Sequence, residues 1–154
     1  GEPQVIVWDT NVLSEIIKPS PDTKVLSWVD SIPTPQTAVT AVTVAEILYG
    51  IGRLPDGARR RKLKTVAESI FDEEFRNRIL VFDADAAVEY AAIAVEREAA
   101  GLPISMADAQ IAAICRKHEC TLATRNIGDF DRTGVAVIDP WNDAGRIDHE
   151  STHR

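Results

Sequence analysis

The sequence predicts an α/β protein built on a central parallel sheet of four to five strands, and three observations carry that expectation. The apolar runs are short and β-branched, one or two helical stretches separate each run from the next, and the first run ends in an acid. Val5-Ile6-Val7-Trp8 gives way directly to Asp9-Thr10-Asn11. Continuous apolar strands are buried on both faces, as parallel sheets covered by helices require. A carboxylate at the C-terminal tip of such a strand sits where open α/β sheets gather ligand chemistry.

The elements follow in order. Val5 to Trp8 is a buried strand bounded by a turn-forming triplet. Asn11 to Lys18 is a short helix stopped by Pro19 and Pro21, and Asp22 or Thr23 caps a second helix that runs to Ile32. Pro33-Thr34-Pro35 ends it, and Gln36 to Thr40 is a second strand. Thr43 then caps a helix whose apolar stripe is Val44, Ile47, Leu48 and Ile51. After Pro55-Asp56-Gly57 comes a long charged helix, Ala58 to Asn77, and then a third strand, Ile79 to Phe82. Asp83 opens an alanine-rich helix that stops at Gly101, and Ser105 caps the next one, through His118. Thr121 to Thr124 and Val135 to Ile138 are the fourth and fifth strands. Residues 1–154 make one domain, with a core over about 4–141 and a polar tail over 142–154.

Bulk properties narrow the function without choosing it. The 154 residues allow one domain with a real core. No apolar run approaches the roughly 20 residues that span a bilayer. The apolar start is only a strand long and lacks a basic flank, unlike a secretory signal, so a cytoplasmic protein is expected. Cys115 and Cys120 are the only cysteines; without nearby histidines their spacing is poor for zinc, and buried free thiols are expected. A formal charge of −7 is the wrong sign for holding nucleic acid by lysine and arginine alone. It leaves open a nuclease whose acids are neutralised by bound cations.

Four acids stand where they could meet: Asp9, Glu46, Asp108 and Asp129. Each has an ordinary alternative. Asp9 could cap the first helix, and Glu46 could be a solvated helical glutamate. Asp108 could pair with Ser105 at a helix start, where the dipole favours an acid. Asp129 could close a turn before Phe130. Asp108 nevertheless heads a face shared with Ile111, Ala112 and Cys115, so it is not on the wet side of its helix. A sheet that reverses direction between its third and fourth strands brings the fourth out beside the first and opens a crevice there. Four converging carboxylates cannot all stay ionised alone, so either Mg²⁺ or Mn²⁺ binds or some acids hold protons. Such a centre suits phosphodiester hydrolysis.

The four stretches Val5 to Glu15, Thr43 to Ile51, Ser105 to Ala112 and Ala123 to Phe130 occur in the order seen in PIN domains. Together they resemble the VapC toxins of bacterial type II toxin–antitoxin modules, and the FitB-like branch in particular. The closing Val-Ile-Asp-Pro-Trp-Asn (137–142) resembles that branch too, so the likeness spans residues 5 to 142. The resemblance implies a PIN-like three-layer α/β/α fold with strand order 3-2-1-4-5. It also implies a Mg²⁺-dependent endoribonuclease, with Mn²⁺ as a substitute, and a metal held by Asp9, Glu46, Asp108 and Asp129. Asp9 and Asp108 would contact the ion, Glu46 would ligate or position the attacking water, and Asp129 would complete the cage or serve a second metal. Some PIN nucleases carry their fourth acid where Asn126 stands, so Asn126 and Asp129 compete for that role.

Thr10, Asn11, Ser105 and Thr124 are the supporting polar positions, with Asn126 beside them. The family further implies a homodimer or a toxin–antitoxin hetero-oligomer. Its cognate antitoxin binds DNA, so contact with DNA is indirect. Arg125 is the candidate RNA-binding residue beside the site, with Arg59, Arg60 and Arg61 as a flank; a solvated helix face is the other reading of that run. Leu13, Ile16, Ile17 and Trp28 are candidates for an antitoxin groove, against plain core packing. Two rival enzyme classes fit less well. A phosphoaspartyl phosphatase needs a second acid two residues after Asp9, where Asn11 stands, and a receiver domain needs an acidic pair and a late lysine that are not evident. The remaining alternative is a catalytically weak PIN-fold protein that regulates by binding its partner.

Overall fold

A computed structural model describes residues 4–142. The expected tail over 142–154 therefore lies, after Asn142, outside the described residues. Five parallel strands form the sheet: β1 (Ile6–Trp8), β2 (Thr37–Thr40), β3 (Ile79–Leu80), β4 (Thr121–Ala123) and β5 (Val137–Ile138), in the order 3-2-1-4-5. Ile6 pairs with Thr37 on one side and with Thr121 on the other, so β1 is central and buried along its length. The chain steps outward from β1 to β2 to β3, then returns to lay β4 on the free side of β1. The C-terminal ends of β1 and β4 thus diverge into a crevice.

Among the described residues six α-helices cover the sheet: α1 (Thr10–Ile16), α2 (Thr23–Ser31), α3 (Ala41–Gly52), α4 (Ala58–Ser69), α5 (Ala84–Ala99) and α6 (Met106–His118). They divide the core in two. On one face Trp8, Val12, Leu13, Trp28 and Phe75 pack together, with the Trp8 and Phe75 rings edge to face at 5.1 Å. On the other, Val7, Ile93, Ile111, Ile114 and Leu122 pack, all of them fully buried, and Cys115 and Cys120 join this side as free thiols. No helix among the described residues is long and apolar enough to cross a membrane.

The structure departs from the sequence expectations in three places. Thr43 does not cap its helix: Thr40, the last residue of β2, accepts from the Thr43 amide at 3.1 Å, so α3 begins straight off the strand and Thr43 is buried inside it. That shift also turns the stripe. Thr43, Ile47 and Ile51 face inward, and Leu48 is left 39% exposed beside Tyr49. The charged helix does not run unbroken to Asn77. α4 ends at Ser69 and passes into a π-helical turn over Ile70–Glu74, which lets Phe71 and Phe75 both reach the core. Asn77 then turns the chain at a positive φ of 66° into β3.

Candidate functional site

Asp9 does two jobs at once. Its backbone follows β1, donating to the Ala123 carbonyl at 2.9 Å, and its carboxylate caps α1 by accepting from the Thr10 amide at 2.8 Å. The capping role and the site role are therefore compatible. The second carboxylate oxygen accepts from the Thr124 hydroxyl at 2.8 Å and from the Asn11 amide at 3.4 Å. Burial raises the Asp9 pKa to about 6; the bonds from Thr124 and Thr10 pull it down, and the charges of Asp108 and Glu46 push it further up. A carboxyl that is reluctant to ionise, with two more acids nearby, is an anionic centre short of positive charge.

Glu46 projects from the second turn of α3. The Thr10 hydroxyl donates to it at 2.6 Å and stands 3.0 Å from the Thr43 hydroxyl. Asp108 sits in the first turn of α6, where its amide donates to the Ser105 hydroxyl at 3.1 Å. Burial is the first cause of its raised pKa, with Asp129 and Glu46 adding to it. Asp9, Glu46 and Asp108 line one open cavity of about 440 Å³, together with Thr10, Asn11, Asn126 and Arg125.

The fourth acid stands apart. Asp129 lies on a 3-10 turn, Ile127–Phe130, and is exposed; its charge is felt by Asp108, but it does not line the cavity, whereas Asn126 does. Nor do the acids close up: among the described residues no three acidic, histidine or cysteine side chains stand at metal-ligating spacing. Of the four expected acids, three thus share one cavity and Asp129 lies outside its lining. Glu46 is engaged by Thr10. The donor set of three carboxylates and neutral hydroxyl and amide groups still fits a hard divalent cation, which prefers oxygen ligands and keeps several waters.

Thr124 and Asn11 brace the crevice. Thr124 is fully buried, and its hydroxyl oxygen also accepts from the Asn126 amide at 3.1 Å and the Asn11 side chain at 3.3 Å. Asn11 in turn accepts from the Arg125 backbone amide at 3.2 Å. The Arg125 guanidinium lies 5.0 Å from the centre of the Trp141 ring, a cation–π distance. Asp139 holds Trp141 in place by accepting from its amide at 2.8 Å.

Sequence reasoning missed Ser14, Glu15, Lys18 and Trp141, which also line the cavity. The first three lay within reach, since Asn11, Glu15 and Lys18 share a helical face by their spacing. Glu15 pairs with Lys18 at 2.9 Å and accepts from the Asp22 amide at 2.9 Å.

The other candidates fall elsewhere. Arg59, Arg60 and Arg61 are on the first turn of α4 and do not line the cavity; Arg60 and Arg61 pair with Asp56 at 3.4 and 3.7 Å. Trp28 is 1% exposed within the core, so it offers no surface to a partner. Leu13 is buried to the same degree, at the floor of a separate groove of about 350 Å³ whose partly exposed walls are Ile16, Val29 and Ile32, and Ile17 faces a smaller one beside α3.

An all-parallel sheet of order 3-2-1-4-5, with acids following β1 and from α3 and α6 around its switch point, defines an α/β protein that gathers carboxylates at the C-terminal end of its central strand. The PIN-domain family model matches residues 6–136, and the chain belongs to that family, in the branch of the FitB and VapC toxins. It is 38% identical to Toxin FitB of Neisseria gonorrhoeae over 139 residues, covering 90% of this chain and all of that one. It is 36% identical to VapC ribonuclease Y4jK of Sinorhizobium fredii, covering 91% of this chain and all of that one. Among solved structures, FitAB bound to an IR36 DNA fragment superposes with a TM-score of 0.85 at 36% identity, covering 94% of this chain and 99% of that one.

Proposed function

We propose that this protein is the toxin of a type II toxin–antitoxin module and acts as a divalent-cation-dependent endoribonuclease. The observation that carries the reading is the set of three acids, Asp9, Glu46 and Asp108, converging from three elements on one open cavity, with Asp9 buried and its pKa raised to about 6. A relative named a ribonuclease, sharing over a third of its residues along its whole length, supports the activity.

Asp9, Glu46 and Asp108 would hold Mg²⁺, or Mn²⁺ in its place. Asn126, or Asp129 after a movement of its turn, would complete the set. When bound, the cation would supply Lewis-acid polarisation of the phosphoryl oxygens and a water made acidic enough to attack. The rest falls to this chain's residues. Thr124 and Asn11 fix the Asp9 carboxylate, Thr10 aims Glu46 at the cavity, and Ser105 sets the first turn of α6 under Asp108. Arg125, steadied over Trp141, supplies positive charge for an RNA phosphate in a chain that is otherwise acidic.

An antitoxin partner is the natural occupant of the groove walled by Ile16, Val29 and Ile32, since the similar FitB is found in a FitAB complex on DNA. Contact with DNA would then be made through that partner, in a hetero-oligomer or as a homodimer of toxin within it. The test is brief expression of wild type and Asp9→Asn, followed by sequencing of the RNA ends produced. New cleavage ends and growth arrest with wild type alone are expected. Equal toxicity of Asp9→Asn would remove catalysis from this site, and an inert wild type with Mg²⁺ and Mn²⁺, freed of any antitoxin, would leave a partner-binding regulator.

A further inference from the structure

Arg97 is a buried cation that the chemistry described so far does not use. It lies in the last turn of α5 and is 5% exposed. No ion pair to it occurs among the described residues. A guanidinium out of water and without a carboxylate is costly, so its fork must be fixing something. One terminal nitrogen donates to the Asp131 carbonyl at 2.8 Å and the other to the Pro103 carbonyl at 3.1 Å, while Nε has no partner.

The two carbonyls belong to the segment that leads into α6 and to the one that leaves the turn after β4. Pro103 lies two residues before Ser105, the cap of α6, and so sets the turn that carries Asp108. Asp131 lies two residues after Asp129, at the end of the turn Ile127–Phe130 that follows β4. No backbone bond joins these segments directly among those found outside helices and strands. The guanidinium stands between them as a rigid two-pronged clamp, a geometry an ammonium cannot reproduce. Its charge also acts on Asp108, pulling that carboxyl's pKa down against burial.

We propose that Arg97 is the positioning residue of the α6 side of the site: by tying Pro103 to Asp131 it fixes the start of α6, and with it the place of Asp108 in the cavity shared with Asp9 and Glu46. The inference rests on the reading of Asp108 as a cation ligand. Outer partners that orient ligands typically change metal affinity by about 10–100-fold when lost.

The test is calorimetric titration of Mn²⁺ into wild type, Arg97→Met and Arg97→Lys, and into Arg97→Met combined with Asp108→Asn or with Glu46→Gln. Amide exchange is followed on the same proteins. Arg97→Met should weaken Mn²⁺ by roughly tenfold or more. Arg97→Lys should weaken it similarly, since it keeps the charge and loses the fork. In the Asp108→Asn background the loss should largely vanish, and in Glu46→Gln it should multiply. Amides of residues 104–108 and 128–131 should exchange faster in both single variants, with those of α3 unchanged. Wild-type affinity in Arg97→Lys, or an equal loss in every background, would overturn the proposal. A wild type that binds no Mn²⁺ would defeat the proposed cation site instead. The exchange pattern then decides on Arg97, with unaltered protection of both segments counting against it.

Discussion

The Thr124 hydroxyl donates to the Asp9 carboxylate across the gap between β4 and β1, at 2.8 Å and with no exposure to solvent. This one bond closes the root of the crevice and lowers the pKa of an acid that burial raises. Thr124→Val keeps the shape and removes the donor. It also strips the acceptor from the partly exposed Asn126 amide, a loss of about 1 kcal/mol. Weaker Mn²⁺ binding and a lower urea midpoint are expected together, read by calorimetry and by denaturation.

The pH dependence of stability should carry the signature of Asp9. Its folded pKa of about 6 lies above the ordinary 3.8, so between those values the folded protein holds a proton that the unfolded chain releases. Stability from this group is therefore complete below 3.8 and is lost as pH rises through 6, by about 3 kcal/mol in all. Metal-free wild type should lose stability over that window relative to Asp9→Asn, as followed by urea unfolding at each pH. Mg²⁺ should restore more stability at pH 7.5 than at pH 5, because only the ionised carboxyl attracts it.

Arg125→Gln should raise KM for RNA and leave kcat nearly unchanged, because a phosphate contact made before and during the reaction contributes uniform binding. Losing one such contact should also flatten the salt dependence of binding by about one ion. Trp141→Leu should reproduce part of the effect, since the ring only steadies the guanidinium. Binding measured against salt concentration separates the two.

The helix cap provides an independent check on the local structure. Thr40→Val removes the side chain that accepts from the Thr43 amide and should cost about 1 kcal/mol, while Thr40→Ser should cost little. Thr43→Val should instead disturb the hydroxyl pair with Thr10 and so act on Glu46. Urea melts should distinguish the first substitution, and Mn²⁺ affinity the second.

The sheet was legible because its strands are nearly pure apolar runs, and the crevice because Asp9 follows one of them without a break. Asp108 was legible because it heads a stripe ending in Cys115, which the fold buries completely. Other features depended on distances that local patterns do not encode. Thr40 and Thr43 are chemically equal caps, and only the length of β2 chooses between them. Leu48 fits a helical stripe as well as Ile47 does, but a short connection from β2 rotates α3 so that one is buried and the other is not. Trp141 reaches Arg125 only because β5 pairs with β4, a long-range register that no run of residues announces. Asp129 was placed with the other acids because it follows the fourth strand, and the turn that carries it leaves it outside the lining.

Asp9 and Thr124 are 115 positions apart in the chain, yet the crevice exists only where they touch. During synthesis the acid therefore emerges well before the strand that it needs as a wall. A chain broken off just before β4 carries Asp9, Glu46 and even Asp108 without the strand that closes the crevice. Strand order thus sets an order of assembly: the crevice beside Asp9 closes only when the strand that lies against β1 on its far side has been made.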